Sequence, residues 1–419
     1  MNKIIGVIRN NKTILENLFY MAFLQIFLLL YPLITYPYLV KVLGKELYGV
    51  VLTAQMLASY ASLLIDFGSN FVCAKHVSIY RNNYSKLSEI LSNVLFVRLV
   101  IFLVIFIIYS IVVYVIPIYR HHLWLFVLTY GFTTNDLLFP QFFFQGVEKM
   151  KFITIINVVT KLVMVAFVFI FVNSSEDVLY VPIIYSVGFL IGGLVSLYII
   201  VCKMKVKFVK PTIKASLFYI KDSSSIFLTD VVCSIKDRLS YLLVGTFVGM
   251  SDVVLYDLGQ KLHGIAAKPY TLICTVMFPR FAKDRDLKLL KKVGIVNFCI
   301  TLAVVLLSNL FLKEISFFFL HEYISLLPLR LFLFGPLLLS ISYVISNNLF
   351  VAFGYNKYMF YSIVVTTAAY AVCLFIALFT DNLNSILTFI CIALISYSVE
   401  LVYRLFMAKH IFNLEKSKI

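Results

Sequence analysis

Charge is what this 419-residue sequence has least of: Asp, Glu, Lys and Arg together make up 13% of it, against 62% hydrophobic residues. Globular domains run nearer to about 45–50% apolar with about a quarter charged, so an ordinary soluble fold is excluded. At 62% of 419 residues, about 260 apolar side chains need shelter from water. Twelve membrane spans of ~20 residues would absorb roughly 240 of them. Cysteine is sparse and scattered: Cys73, Cys202, Cys233, Cys274, Cys299, Cys373 and Cys391 include no CxxC pair. That spacing supports neither a metal site nor a disulfide framework, and the thiols read as small hydrophobes. Alternating ten-residue patterns are missing, which excludes a barrel. No Walker A, HExxH or GxSxG sequence occurs, and the short external loops leave no room for a glycosyl-transfer site. The expectation is an all-α polytopic membrane protein that is not an enzyme and needs no cofactor.

Apolar stretches longer than ~18 residues lie near 14–40, 48–73, 89–116, 122–144, 152–172, 178–202, 222–248, 253–279, 293–312, 327–352, 358–380 and 385–408, which makes twelve transmembrane helices. With the N-terminus in the cytoplasm, 25 of the 36 basic residues fall in cytoplasmic segments and four in external ones, Lys41, Lys45, Arg120 and Lys313. Such a bias places both termini inside. It also accounts for the formal charge of +16 as topology, with no nucleic acid implied. The first apolar segment, Ile14 to Val40, is too long for a signal h-region and is expected to stay as helix 1.

The basic connection 203–221 follows six spans and precedes six more, and Ile213, Leu217 and Ile220 recur there at helical spacing beside Lys214 and Lys221. That is the pattern of an interfacial helix. Sliding the chain by 208 residues brings Leu47-Tyr48 onto Leu255-Tyr256, Gly146 onto Gly354, Lys149 onto Lys357, Phe152 onto Phe360 and Ile155 onto Ile363. Two six-helix lobes, 1–208 and 209–419, are therefore expected around a central cavity. Because six is even, the lobes share one orientation and an axis along the membrane normal.

Ionisable groups within spans are costly unless they face a cavity or a partner. Asp257, Lys261, Gly264 and Lys268 recur at i, i+4, i+7 and i+11, which keeps all of them within ~40° of Asp257 over ~16 Å of helix. Asp230, Ser234, Asp237 and Tyr241 repeat that spacing with Arg238 on the shoulder, while Gln55, Ser59, Ser62 and Asp66 form a third stripe. Tyr31, Thr35 and Tyr38 add hydroxyls from helix 1. Together they suggest a hydroxyl-rich, net cationic lining: Arg98, Lys161, Arg238, Lys261, Lys268 and Arg330 against Asp66, Asp230, Asp237 and Asp257. The cations, with Gln55, Ser59 and Tyr241, are the candidate substrate-binding residues, and the four aspartates the candidates for ion coupling or gating. The same stripes also suit interhelical pairing, for example Asp257 with Lys261. Arg98, Lys161 and Arg330 sit where long cations snorkel to headgroups. His263 points away from its stripe, and His121 and His122 beside Trp124 read as interface anchors. Pro32, Pro37 and Pro269 permit kinks.

Tyr36-Pro37-Tyr38-Leu39-Val40, Leu43-Gly44-Lys45-Glu46-Leu47-Tyr48-Gly49, Asp66-Phe67-Gly68 and Pro140-Gln141-Phe142-Phe143-Phe144-Gln145-Gly146-Val147-Glu148-Lys149-Met150 closely resemble the bacterial polysaccharide-repeat-unit flippases. These are the O-antigen and capsule translocases of the polysaccharide transport family, within the multidrug, oligosaccharidyl-lipid and polysaccharide exporter superfamily. The likeness is strongest over residues 30–160 and is pattern-level after 210. It implies a MATE-like fold and alternating-access flipping of undecaprenyl-pyrophosphate-linked oligosaccharide repeat units from the cytoplasmic to the periplasmic leaflet of the inner membrane. It further implies coupling to an ion gradient, as in an antiporter, a role in lipopolysaccharide biosynthesis, contact with membrane lipids, and partnership with the polymerase and chain-length proteins of the same pathway. A multidrug or cation exporter of the superfamily would more often present an acidic or aromatic pocket, and a polysaccharide polymerase would need a large periplasmic loop. A peptidoglycan-precursor flippase would have fourteen spans, and charge stripes on several helices argue against a receptor-like protein.

Overall fold

The computed structural model describes residues 2–416, with the side chains of 2–15, Cys233, Ile235, Lys236, Asp237 and 415–416 outside the description. Among the described residues there are sixteen α-helices and no strand. In chain order they are α1 (Asn2–Asp66), α2 (Ser69–Ile79), α3 (Tyr84–Val115), α4 (Pro117–His121), α5 (Leu123–Thr129), α6 (Thr134–Leu138), α7 (Gln141–Gly146), α8 (Met150–Phe171) and α9 (Tyr180–Tyr198). They continue as α10 (Ile213–Leu243), α11 (Met250–Asp284), α12 (Leu287–Leu310), α13 (Leu312–Leu320), α14 (Leu327–Tyr343), α15 (Asn356–Phe379) and α16 (Ile386–Lys416).

Eight helical stretches among the described residues are long and apolar enough to cross a membrane. The first, Glu16–Ile79, has 64 residues, or ~96 Å of helix against a hydrocarbon layer of ~30 Å. It holds two crossings, divided where Gly44 leaves helical geometry at φ 75° and ψ 164°. Three of the twelve expected spans are helical without meeting that description. The stretch 122–144 is broken into α5, a 3₁₀ turn, α6 and α7, with Pro140 before the last, while 222–248 and 253–279 lie in α10 and α11 and carry the charge stripes. On α3 the lipid-facing stripe is plain: Leu99, Leu103, Ile107 and Ile111, each one turn on, are all exposed, whereas Leu91, Val94 and Val97 are buried. Apolar exposure of that kind is stable only in a bilayer, and the chain is a multi-pass membrane protein.

The chain forms two compact units, Met1–Val231 and Val232–Ile419. The division between lobes at 208/209 drawn from the repeat stands as a proposal. The first unit's core gathers Leu87, Leu91, Val94, Phe142, Phe143, Phe144, Ile153 and Ile200. Gly146 lets α7 approach α2 closely, since a Cβ there would lie 2.6 Å from Val77. The connection after α9 is strapped along α3: the N–H groups of Lys207, Val209 and Thr212 donate to Ser88 Oγ, Ser92 Oγ and Asn93 Oδ1. At the start of α10, Ile213, Leu217 and Ile220 are exposed and Ser216, Tyr219 and Ser223 buried, so this turn is two-faced as its spacing suggests. The second unit packs Cys274, Phe281, Leu290, Leu349, Phe350, Phe353 and Ile411.

Both units contain the same helix-ending corner, in a register that differs from the sequence alignment. Lys149 N–H donates to Phe144 O at 2.9 Å and Glu148 N–H to Gln145 O at 3.0 Å, while Tyr355 N–H donates to Phe350 O at 2.6 Å and Gly354 N–H to Val351 O at 3.1 Å. Glu148 (φ 58°) and Gly354 (φ 85°) take the left-handed position that this closure requires. At this corner the structural offset is thus 206 where the sequence alignment has 208: Gly354 answers Glu148, and Gly146 lies inside α7. A second shared device is an edge-on tyrosine pair about a positive-φ glycine. Tyr36 meets Tyr48 across Gly44, and Tyr241 meets Tyr256 across Gly249, each pair with ring centroids 5.1 Å apart.

Candidate functional site

Arg98 on α3 is fully buried, so every guanidinium donor must find an acceptor. Nη2 donates to Asp66 Oδ1 at 2.6 Å, Ser69 Oγ at 2.7 Å and Asn70 Oδ1 at 3.1 Å, Nε donates to Ser69 Oγ at 3.1 Å, and Nη1 reaches Phe139 O at 3.5 Å. The Phe142 ring covers the group, with its centroid 5.4 Å away. The α1–α2 break aims these acceptors: Phe67 and Gly68 both have positive φ, and a Cβ on Gly68 would come within 3.0 Å of Phe227 N on α10. Arg98 does not snorkel, and it and Asp66 are paired with one another here.

Lys161 on α8 is different. It is half-buried, and among the described residues no carboxylate pairs with it. Its Nζ stands 5.2 Å from the centroid of Tyr31 and 5.1 Å from that of Phe189, a cation held over two ring faces. Tyr31 OH in turn donates to Tyr185 OH at 2.6 Å. Asn135, Asn157 and Thr160 line the space beside the ammonium, which measures only about 10 Å³, roughly the room for one water. The space beside Lys161 is thus too small for anything larger than a water.

In the second unit, Asp257 on α11 is buried and accepts from Tyr241 OH at 3.1 Å and from Lys261 Nζ one turn on. The Asp257–Lys261 pairing that the spacing allowed is therefore made. Lys268, two turns further, is exposed, and no carboxylate pairs with it among the described residues. Arg238 is half-buried, and Arg330 is exposed at the start of α14 in a position suited to headgroups. His263 packs against Tyr397 at 5.8 Å and beside Gly335, as a packed residue would.

In the first unit, Gln55 is half-buried, Ser59 Oγ donates to Met56 O on its own helix at 2.7 Å, and Asp230 is exposed on α10. The Asp237 side chain lies outside the described residues. The candidates thus fall into a first-unit set, in which Arg98 is neutralised and Lys161 has no carboxylate partner, and a second-unit set, in which Lys261 is neutralised and Lys268 and Arg330 have none among the described residues.

The sequence reading missed a second buried arginine. Arg404 on α16 lies 2.7 Å from Glu400 Oε1. It also donates through Nε to Ser362 Oγ at 3.1 Å and through Nη1 to Ser342 Oγ at 3.0 Å and Ser342 O at 3.1 Å. Glu400 accepts from Ser342 Oγ and Thr366 Oγ1, each at 3.1 Å. Arg404, near the end of the stretch 385–408, is one of the 25 basic residues that the sequence assigns to cytoplasmic segments. The signal was a Glu four residues before an Arg in an apolar span, the favourable order for a helical pair.

The family model described as "Polysaccharide biosynthesis protein" matches residues 14–285. A protein of Escherichia coli (strain K12) named "Putative O-antigen transporter" is 23% identical over 295 residues, covering 70% of each chain. One of the same name from Shigella dysenteriae is 23% identical over 254 residues, 61% of this chain and 64% of that one. Among solved structures, an inward-facing multidrug resistance MATE family transporter of the MOP superfamily aligns with TM-score 0.70 and 13% identity over 93% of this chain and 96% of that one. The lipid II flippase MurJ in an inward closed conformation aligns with TM-score 0.65 and 14% identity over 94% and 87%. At these identities the structural likeness establishes a MATE-like fold.

Proposed function

The chain belongs to the polysaccharide biosynthesis protein family, and on that premise we propose that it is a transporter, not an enzyme, that flips undecaprenyl-pyrophosphate-linked oligosaccharide repeat units from the cytoplasmic to the periplasmic leaflet of the bacterial inner membrane. The observation that carries the reading is the family match across 14–285, which includes α1 to α11 apart from the first residues of α1; the O-antigen transporter names of the two relatives point the same way. The side chains fit that cargo. A pyrophosphate offers anionic acceptors, which Lys161 and Lys268 can meet because no carboxylate neutralises them among the described residues. Sugars need hydroxyl and amide partners, and Gln55, Ser59 and Tyr241 belong to that set. The lipid tail stays in the bilayer while the head moves by alternating access.

Coupling to an ion gradient falls to Asp230 and Asp237 in this reading, since Asp66 and Asp257 already hold Arg98 and Lys261. Both termini lie in the cytoplasm, and the polymerase and chain-length proteins of the pathway are the partners.

The test is translocation in proteoliposomes loaded with a labelled undecaprenyl-pyrophosphate oligosaccharide, scored by protection of the sugar from an external lectin or oxidant. Protein-dependent loss of protection, faster under an imposed pH gradient, is the expected result. Labelled lipid that stays in its leaflet with folded protein present ends the flippase reading, and flux indifferent to the gradient ends proton coupling alone.

A further inference from the structure

Outside the charges discussed so far, the first unit contains a concave basic site that the transport reading does not use. A cavity of about 440 Å³ is lined by Arg81, Asn82 and Tyr84 from the α2–α3 turn, Lys149 from the α7–α8 corner, and Lys203 and Lys205 from the end of the α9 segment. Its floor is Leu87, Phe143 and Val206, all buried. Four cations from three separated stretches converge there. One is compensated, since Arg81 Nη1 lies 3.3 Å from Glu148 Oε1. Lys149, Lys203 and Lys205 have no carboxylate partner among the described residues. A loop serving only as a solvated topological charge has no reason to close into a cavity of ligand size.

The backbone holds this arrangement in place. Lys205 has φ 58°, a conformation that costs energy for any residue with a side chain and tends to gather at functional positions. It is fixed by Val206 N–H donating to Ile200 O at 3.3 Å and Lys207 N–H to Ser88 Oγ at 3.0 Å. Lys149 is likewise fixed by the corner bond from its N–H to Phe144 O. The first turns of α3 and α8 begin at Tyr84 and Met150, so two helix N-termini add positive potential beside the lysines. Tyr84 in the lining is exposed, as are Ile79 and Phe208, which lie two residues along the chain from Arg81 and Val206; exposed apolar side chains beside lysines are the composition of the boundary between hydrocarbon and water.

We propose that this cavity binds the phosphate of an anionic lipid headgroup, clamped by Lys149, Lys203 and Lys205, with Asn82 and the Tyr84 hydroxyl as supplementary hydrogen-bonding groups. Compact ammonium groups suit a phosphate approached from several sides. The shared chemistry is a phosphate ester, supplied either by a bilayer phospholipid or by a lipid diphosphate. The site is independent of whether the chain transports a glycolipid.

Purified full-length protein is exchanged into phosphatidylcholine nanodiscs containing phosphatidylglycerol, and retained phosphatidylglycerol is read by native mass spectrometry. In a second arm, detergent-solubilised protein is titrated with inorganic pyrophosphate. The Lys149→Gln, Lys203→Gln, Lys205→Gln variant should lose about fivefold in affinity per lysine, on the order of 100-fold in all, and the triple Lys→Arg variant should retain binding. Lysine-dependent phosphatidylglycerol retention identifies the bilayer lipid as the source, and lysine-dependent pyrophosphate binding identifies a diphosphate. Either supports the site. Equal binding by the wild type and the glutamine variant in both arms, or none by the wild type in either, overturns it. Should the triple variant fail to elute as a single species, Lys149→Gln, Lys203→Gln decides at about 25-fold.

Discussion

Arg98 Nη2 and Asp66 Oδ1 stand 2.6 Å apart across α3 and the end of α1, with the arginine side chain wholly out of solvent and the aspartate partly exposed. Removing one member of a buried pair leaves an uncompensated charge, which costs about 3–5 kcal/mol. Arg98→Ala is therefore expected to lower the thermal unfolding midpoint in detergent sharply, and Asp66→Asn less so because Ser69, Asn70 and Phe139 O still accept from the guanidinium. Unchanged midpoints for both would show that the pair does not hold the end of α1 against α3.

Glu400 and Arg404 make the matching case in the second unit, with Ser342, Ser362 and Thr366 completing the network. Each single replacement, Glu400→Leu or Arg404→Leu, should destabilise strongly, while the double should cost less than their sum. A coupling of about 1–3 kcal/mol is expected from a double-mutant cycle. Additive midpoint shifts would mean that the two side chains act independently.

How far the sequence was legible depends on what each residue's partner was. Apolar run length is local, so the helical spans were readable, and the charge stripes were readable from spacing alone. The partner of a charge is not local. Asp257 and Lys261 lie on one helix and could be paired by inspection, whereas Asp66 and Arg98 are 32 residues apart and meet only because Phe67 and Gly68 turn the chain. Arg404 was hidden for the opposite reason: its neighbourhood in the chain suggested a tail, and its true neighbours, Ser342 and Ser362, lie on other helices. The flippase-like motifs prove to carry hinge and packing positions, with Gly44, Gly68 and Glu148 at positive φ and Phe142 to Phe144 in the core.

The two equivalent corners differ in residue type, Glu148 against Gly354, and this gives a backbone test. A Cβ on Gly354 would meet nothing within 4 Å, so Gly354→Ala should cost only the left-handed penalty of about 1–2 kcal/mol. Gly354→Asn should cost less, because Asn tolerates that region. Glu148→Gly should be near neutral, trading the exposed Arg81 pair, worth at most about 1 kcal/mol, for a relaxed backbone. Thermal midpoints ranking Ala below Asn below wild type support the equivalence of the corners. A harmless Gly354→Ala would contradict it.

Lys161 and Lys268 should separate binding from folding. If their charge serves the cargo, Lys161→Ala should reduce oligosaccharide translocation by about tenfold or more, equivalent to ~1.4 kcal/mol. Its stability cost should stay near that of the two ring contacts with Tyr31 and Phe189, about 0.5–2 kcal/mol. Lys161→Arg keeps the charge and should keep most of the flux, since a guanidinium also lies well over aromatic faces. Lys268→Ala, at an exposed position on α11, should leave the midpoint unmoved and lower flux. Lys261→Ala should do the reverse, because it strands the buried Asp257 carboxylate. The comparison is made on one preparation of each variant, with midpoint and proteoliposome flux measured side by side. Loss of flux that merely tracks loss of midpoint across Arg98, Lys161, Lys261 and Lys268 would mean that all four cations are structural, and the cationic cargo site would have to be sought elsewhere in the fold.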